Sequence, residues 1–286
     1  MALSGTTVVG LLHPGEMGAA VGRCLTGAGY RVLWASEGRG PDTAARASAA
    51  ELTDVRSARR IVAEADVILS ICPPHAALDV AWAVHGFTGL YLDANAIAPG
   101  TAREVAQLIT GSGGRYVDGG IIGSPPVTSG TTRLYLSGPD APDIRALFAG
   151  TPLEPRIAPG PDTAASAVKM AYASWTKGTT ALLLAARALA QAEGVAETLL
   201  AEWALSQPQL PDQVSRAARA AATKGWRWVG EMEEIASCMA GAGLPDGFHQ
   251  AAAEIYRRSP RISGPADGGQ TVAAVLAAVT GTETAD

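Results

Sequence analysis

Two short stretches of this 286-residue chain combine residue types and spacings that can do chemistry. The first is HPGEMG, His13 to Gly18, which keeps the spacing of GxGxxG with a histidine in place of the first glycine. A strand-like run, TTVVGLL, precedes it and a helical stretch follows, which is the setting in which such a turn holds a dinucleotide. Gly15 lets the backbone approach a pyrophosphate, and Gly18 lets the helix pack against the sheet. Pro14 has no N–H and a fixed φ, and Glu16 and Met17 complete the turn. The amide groups and dipole at the helix start favour an anion. At His13 a residue other than glycine is acceptable if φ stays negative. The second stretch is SAVKMAYASWTKG, in which Lys169 sits early in an otherwise apolar helix between Val168 and Met170. A half-buried lysine can move a hydroxyl proton; the plainer reading is an amine that reaches out to solvent.

The segment after the second strand, Ala35-Ser36-Glu37-Gly38-Arg39, bears on which dinucleotide fits. An acid about 20 residues after the glycine motif favours NAD by bonding the ribose hydroxyls. Here Ser36 falls at the strand tip, and Arg39 can pair with a 2′-phosphate through its planar fork. Glu37 opposes this if it turns inward. The balance favours NADP(H) over NAD(H).

The elements that must position these residues divide the chain in two. In the first half, apolar runs (TTVVGLL, YRVLWA, DVILSIC, GLYLDA, RYVDGGI, TTRLYLSG) alternate with helical stretches at 15–28, 43–52, 56–64, 76–84 and 101–109. That alternation predicts βαβ units, a parallel sheet and an α/β Rossmann domain over residues 1–163. Beyond Pro161 the pattern changes. Residues 164–192 are nearly free of helix breakers and predict one long interdomain helix of about 28 residues. Helices at 196–205, 211–222, 226–242 and 247–258 complete an all-α domain over 164–286, with a turn at 243–247. The last residues, 281–286, are expected to fray.

Composition narrows the function. Hydrophobic residues make up 48% and charged residues 17%, so a substantial core is expected. A net charge of −5 gives no electrostatic footprint for nucleic acid. Cys24, Cys72 and Cys238 are odd in number and far apart, which argues against a disulfide framework or a zinc site. The four histidines show no metal-ligand spacing, and His249 reads as a packing or interface residue. Reduced cysteines, the lack of a signal-like N-terminus and the lack of a long apolar run point to a cytoplasmic protein without a membrane segment.

Taken together, HPGEMG, ICPP (Ile71 to Pro74), DANAIAP (Asp93 to Pro99), DGGIIGSPP (Asp118 to Pro126) and SAVKMAYASWTKG resemble the β-hydroxyacid dehydrogenase and 6-phosphogluconate dehydrogenase superfamily, in the family's order and over nearly the whole chain. The closing stretch WRWVGEMEEIASCMAGAGLPDGF resembles a branch with a distinct C-terminal helical domain, related to imine reductases. The resemblance implies that Cys72 and Pro73 line the nicotinamide side. Asn95 would stand near nicotinamide and substrate. Gly120, Ile121, Ile122, Gly123 and Ser124 would form the loop that binds a substrate carboxylate. Lys169 would be the catalytic lysine. Glu231 falls near a family aspartate that faces the active site, with Arg227 and Glu233 as further polar candidates. A surface ladder of Arg227, Glu231 and Glu234 is the plainer alternative. Relatives of this fold are dimers, which implies a homodimer.

Departures from the family limit the substrate. Tyr172 and Thr176 stand one and two turns beyond Lys169, where 6-phosphogluconate enzymes carry His and Glu, and Ala173 replaces a common Asn. Ile122-Gly123-Ser124 replaces Ser-Gly-Gly. Oxidative decarboxylation of 6-phosphogluconate is therefore disfavoured, and a more apolar substrate is expected. Tyr172 can donate a proton or shape the pocket; Trp175, Trp226 and Trp228 can wall it or simply pack. Three functions follow: an NADP-dependent hydroxy-acid dehydrogenase with Lys169 as general acid/base, an NADPH-dependent imine reductase, and an NADP-binding regulator without turnover.

Overall fold

Runs such as VVGLL, VILS and LYLD are apolar on both faces, so they belong inside a sheet covered on both sides. The computed structural model describes residues 6–262 and 268–281 and puts these runs at the centre of an eight-stranded sheet. The strands are β1 (Val8–Leu12), β2 (Arg31–Trp34), β3 (Thr53–Asp54), β4 (Val67–Ser70), β5 (Leu90–Asp93), β6 (Arg115–Ile122), β7 (Thr132–Ser137) and β8 (Leu153–Ile157). Their spatial order is β3-β2-β1-β4-β5-β6-β7-β8, an outward walk on either side of β1. The order reverses between β1 and β4, and such a switch point opens a crevice beyond the strand ends. Helices α1 (Glu16–Gly27), α2 (Pro41–Ala49), α3 (Ala58–Glu64), α4 (Ala77–Trp82), α5 (Pro99–Gly111) and α6 (Ala141–Leu147) connect the strands. Two apolar cores result, one on each face. Leu11, Leu25, Leu69 and Phe148 belong to one, and Ile61, Ile68, Tyr91 and Ile97 to the other.

The sheet is not wholly parallel, as the strand–helix alternation had implied. β6 and β7 pair antiparallel, with Asp118 opposite Ser137 and Ile122 opposite Arg133. No helix separates them, and a short connection can join only antiparallel neighbours. β3, β8 and α6 are additional to the expected elements; β3 is two residues long and exposed, below what periodicity can signal.

After the sheet comes α7 (Ala164–Ala192), then α8 (Ala196–Ser206), α9 (Leu210–Gly241), α10 (Gly247–Arg258) and α11 (Gly268–Thr280). The long helix runs over the expected residues. α9 is one helix where two were expected, because Gly225 does not end it. A Cβ there would lie 3.3 Å from the Tyr256 ring, so the missing side chain is used for close packing with α10. Glycine costs about 1 kcal/mol in a helix interior, less than a packed aromatic contributes. α11 also had no counterpart in the sequence reading. The expected fraying at 281–286 falls almost wholly outside the described residues. The chain packs as two compact units, Met1–Met170 and Ala171–Asp286, which meet within the span of α7 in the sequence.

Candidate active site

At the glycine-rich turn, β1 must hand over to α1 within three residues. The chain does so by placing His13 at φ +67°, in the left-handed region. This corrects the expectation of a negative φ. A first glycine would take that conformation freely, whereas histidine carries roughly 1 kcal/mol of strain there. The turn is closed by the Gly15 amide, which donates to the His13 carbonyl at 2.8 Å. Gly18 is required for a related reason: its Cβ would lie 2.6 Å from the same carbonyl. Gly15 is the N-cap of α1, and no side chain caps this helix start. A helix start without a side-chain cap presents its N-terminal dipole to an anion.

Two arginines flank the turn. Arg39 Nη1 lies 2.8 Å from His13 Nδ1. Arg46, on α2, donates from Nε to the Pro14 carbonyl at 3.3 Å and from Nη2 to Thr43 at 3.0 Å. Burial, then the charges of Arg39 and Arg46, push the His13 pKa below its ordinary value. An uncapped helix start, a bare Gly15 and two guanidiniums fit a dinucleotide phosphate. Arg46 escaped the sequence reading because it is distant in sequence, and only the packing of α2 brings it to Pro14.

At the tip of β2, residues 36–39 form a turn in which the Arg39 amide donates to the Ser36 carbonyl at 3.0 Å. The Ser36 amide bonds Asp54 Oδ1, which also accepts from the Arg56 amide at 2.8 Å. Desolvation opposes ionisation of Asp54, but these hydrogen bonds outweigh it and hold its pKa low. Asp54, an acid missed in the sequence, is thus engaged by backbone at the strand tip. Glu37 is exposed, and its amide is tied to the Arg56 carbonyl.

The ends of β4 and β5 are joined through Asn95, which is 2% exposed. Its Oδ1 accepts from the Cys72 amide at 2.6 Å, its Nδ2 donates to Ser70 Oγ at 3.0 Å, and its own amide bonds Asp93. Both ends of the Asn95 side chain are thereby occupied by protein groups. Cys72 is half-buried; burial and then the Asp93 carboxylate push its thiol up to about 12, so it stays neutral. Pro73, next to it, is exposed.

The start of α7 is fastened to β6 at two levels. Ser166 donates through both its amide and its hydroxyl to the Asp118 carboxylate, and Ser137 donates to it at 2.9 Å. Burial raises the Asp118 pKa, and those hydrogen bonds only partly offset it. One turn further along, Lys169 Nζ donates to the Ile121 carbonyl at 2.9 Å. Gly120 makes this approach possible, since a Cβ there would meet the Ala165 carbonyl at 2.8 Å. Ile121 and Ile122 are buried, so they offer backbone rather than side chain. Gly123, at φ +131°, and Ser124 emerge at the exposed end of the strand. Lys169 has no carboxylate partner among the described residues.

Tyr172, Trp175 and Glu231 belong to the second unit. Tyr172 and Trp175 are exposed, the latter at 72%. Glu231 forms a largely buried ion pair with Lys177, a lysine the sequence reading passed over. Lys177 also lies 5.4 Å over the Trp228 ring, which meets Tyr256 edge-on. Trp226 is stacked by Arg227 and Arg261, and Glu233 pairs with Arg257 at 2.8 Å. His249 is buried beside Phe248. Among the described residues no group of His, Cys, Asp and Glu could hold a metal ion, and no helix is long and apolar enough to cross a membrane.

Residues 190–259 match the domain of unknown function DUF1932. A probable 3-hydroxyisobutyrate dehydrogenase of Mycobacterium tuberculosis is 31% identical over 144 residues, 49% of this chain. The match spans 48% of that relative, so about half its length is represented. A solved M. tuberculosis 3-hydroxyisobutyrate dehydrogenase with L-serine superposes with a TM-score of 0.69 at 20% identity, covering 94% of this chain and 98% of that one. A reductive aminase of Aspergillus terreus with NADPH and ethyl-5-oxohexanoate gives a TM-score of 0.56 at 20% identity, covering 88% and 93%. The chain therefore has the fold of 3-hydroxyacid dehydrogenases and imine reductases: an α/β domain followed by a helical region.

Proposed function

We propose that this protein is an NADP-dependent oxidoreductase that interconverts a small hydroxy acid and its carbonyl form. Its carrying observation is the Lys169 ammonium, which is held by the Ile121 carbonyl at the end of β6 without a carboxylate partner among the described residues. An ammonium in that state is available to a substrate oxygen. Bound nicotinamide supplies or accepts the hydride. Lys169 then gives a proton to the developing alkoxide, or takes one from the hydroxyl in the reverse direction. The amides around Gly123 and Ser124 hold the substrate carboxylate, and Tyr172, Trp175 and Glu231 are the substrate-binding candidates that the second unit carries. His13 to Met17 cradle the pyrophosphate, Ser36 and Arg39 take the 2′ position, and Cys72, Pro73 and Asn95 form the nicotinamide wall. The neutral Cys72 thiol places no negative charge there.

The working form is a cytoplasmic homodimer. Free cysteines support the compartment. The dimer is supported by α8, which buries none of its residues although it carries Leu199, Leu200 and Trp203. Leu182 and Leu189 on α7 and Leu205 on α8 are also exposed.

The test is Lys169→Ala, assayed with NADP(H) against 3-hydroxy acids and cyclic imines. Loss of general acid–base catalysis lowers kcat by about 10²- to 10⁴-fold while NADPH affinity holds. Unchanged turnover refutes the assignment. The likeness to reductive aminases favours a second reading, in which the imines alone turn over and Tyr172 donates the proton.

A further inference from the structure

The left-handed histidine has a geometry that the turn alone does not explain. Glycine at position 13 would make the same turn without strain. The histidine instead accepts a hydrogen bond. A guanidinium has only donors, so Arg39 Nη1, 2.8 Å from Nδ1, requires Nδ1 to be the acceptor. The ring is therefore neutral, with its proton on Nε2. The Cδ2–Nε2 edge lies over Gly15, 3.7 and 3.9 Å from the point where a Cβ would stand. That edge therefore covers the start of α1, which no side chain caps. Arg46 donates to the Pro14 carbonyl of the same turn at 3.3 Å.

We infer that His13 is a phosphate ligand: its Nε2–H donates to the pyrophosphate of the bound dinucleotide, and Arg39 fixes the tautomer that makes this possible. This rests on the dinucleotide reading above. Arg39 then has two jobs. One nitrogen orients His13, and its other guanidinium donors would serve a 2′-phosphate. The strain at His13 is retained because the ring adds a donor that glycine lacks. Proton and charge stay where they are: no bond is made or broken, and the ring is neutral before and after binding.

The experiment is calorimetric titration of the full-length protein with NADPH and with NADH, beside thermal unfolding without ligand. His13→Gly is expected to unfold at a higher temperature, because the strain is gone, yet to bind both dinucleotides about ten-fold or more weakly, since a hydrogen bond to a charged group is lost. His13→Asn tolerates the left-handed backbone but is too short to reach, and it weakens binding as His13→Gly does. Arg39→Ala weakens NADPH far more than NADH. Wild-type affinity in either His13 variant overturns the inference. If the wild type binds neither dinucleotide, the functional reading itself fails, which is a separate outcome.

Discussion

Adding one methyl group at Gly120 tests whether the β6–α7 contact positions Lys169. In Gly120→Ala the new Cβ would lie 2.8 Å from the Ala165 carbonyl oxygen and 2.9 Å from Lys169 Cβ. Both belong to the first turns of α7, and the nearer is backbone, so no rotamer change relieves the clash. Restoring ordinary contact moves the helix start by about half an ångström. Four hydrogen bonds resist that movement: two from Ser166 to Asp118, one from the Ala165 amide to Ser137 at 2.9 Å, and one from Lys169 to Ile121 at 2.9 Å. Stretched by that amount, the three N–H···O bonds among them pass the range of good geometry. Overpacking of a tight core costs about 1–3 kcal/mol, and weakening bonds to a buried carboxylate adds to it. A loss near 2 kcal/mol is expected, read as a lower urea midpoint at unchanged m. Turnover falls by about 10²-fold, because a displaced catalytic group loses its alignment. Gly100→Ala is the control: nothing lies within 4 Å of its Cβ, and stability stays level or rises slightly. A midpoint shift in Gly120→Ala worth less than about 0.5 kcal/mol, with full activity, would refute the positioning argument.

Two further outcomes follow from the titrating groups. The His13 and His249 pKa values are lowered, chiefly by burial, so as pH falls through the unfolded value of 6.5 the unfolded chain binds more protons than the folded one. Stability is full above the unfolded histidine pKa and falls as pH drops through the lowered values. Urea midpoints should decline over that range and decline less in His13→Asn; a rise on acidification contradicts the assignment. Cys72, with a thiol pushed to about 12, should resist alkylation at pH 8 in the native protein and react once unfolded. Rapid native labelling, seen by peptide mass spectrometry, would refute a buried, neutral thiol.

The local signals were legible because they are local. The spacing of His13, Gly15 and Gly18, the uniform apolar strands and the breaker-free 164–192 stretch each depend on neighbours a few residues apart. These determined the α/β-then-helical order and the start of α7. The antiparallel β6–β7 pair and the unbroken α9 were not legible, since a short connection and one glycine read alike whether they end an element or pack it. The site divides in the same way. Lys169 could be singled out as a lysine in an apolar helix, but its bond to Ile121 spans 48 residues. So does the clamp of Ser166 on Asp118. Arg46 at Pro14, Asp54 at Ser36 and Lys177 at Glu231 are likewise long-range, and no periodicity announces them. Residue type and helical or strand period act over a few residues, so the residues that can do chemistry and the elements that carry them are readable from the chain's local pattern. That His13 is left-handed and bound to Arg39 follows from long-range packing alone. A backbone angle at a turn is set by what β1, α1 and the β2 tip must bring together, not by the residue that occupies it.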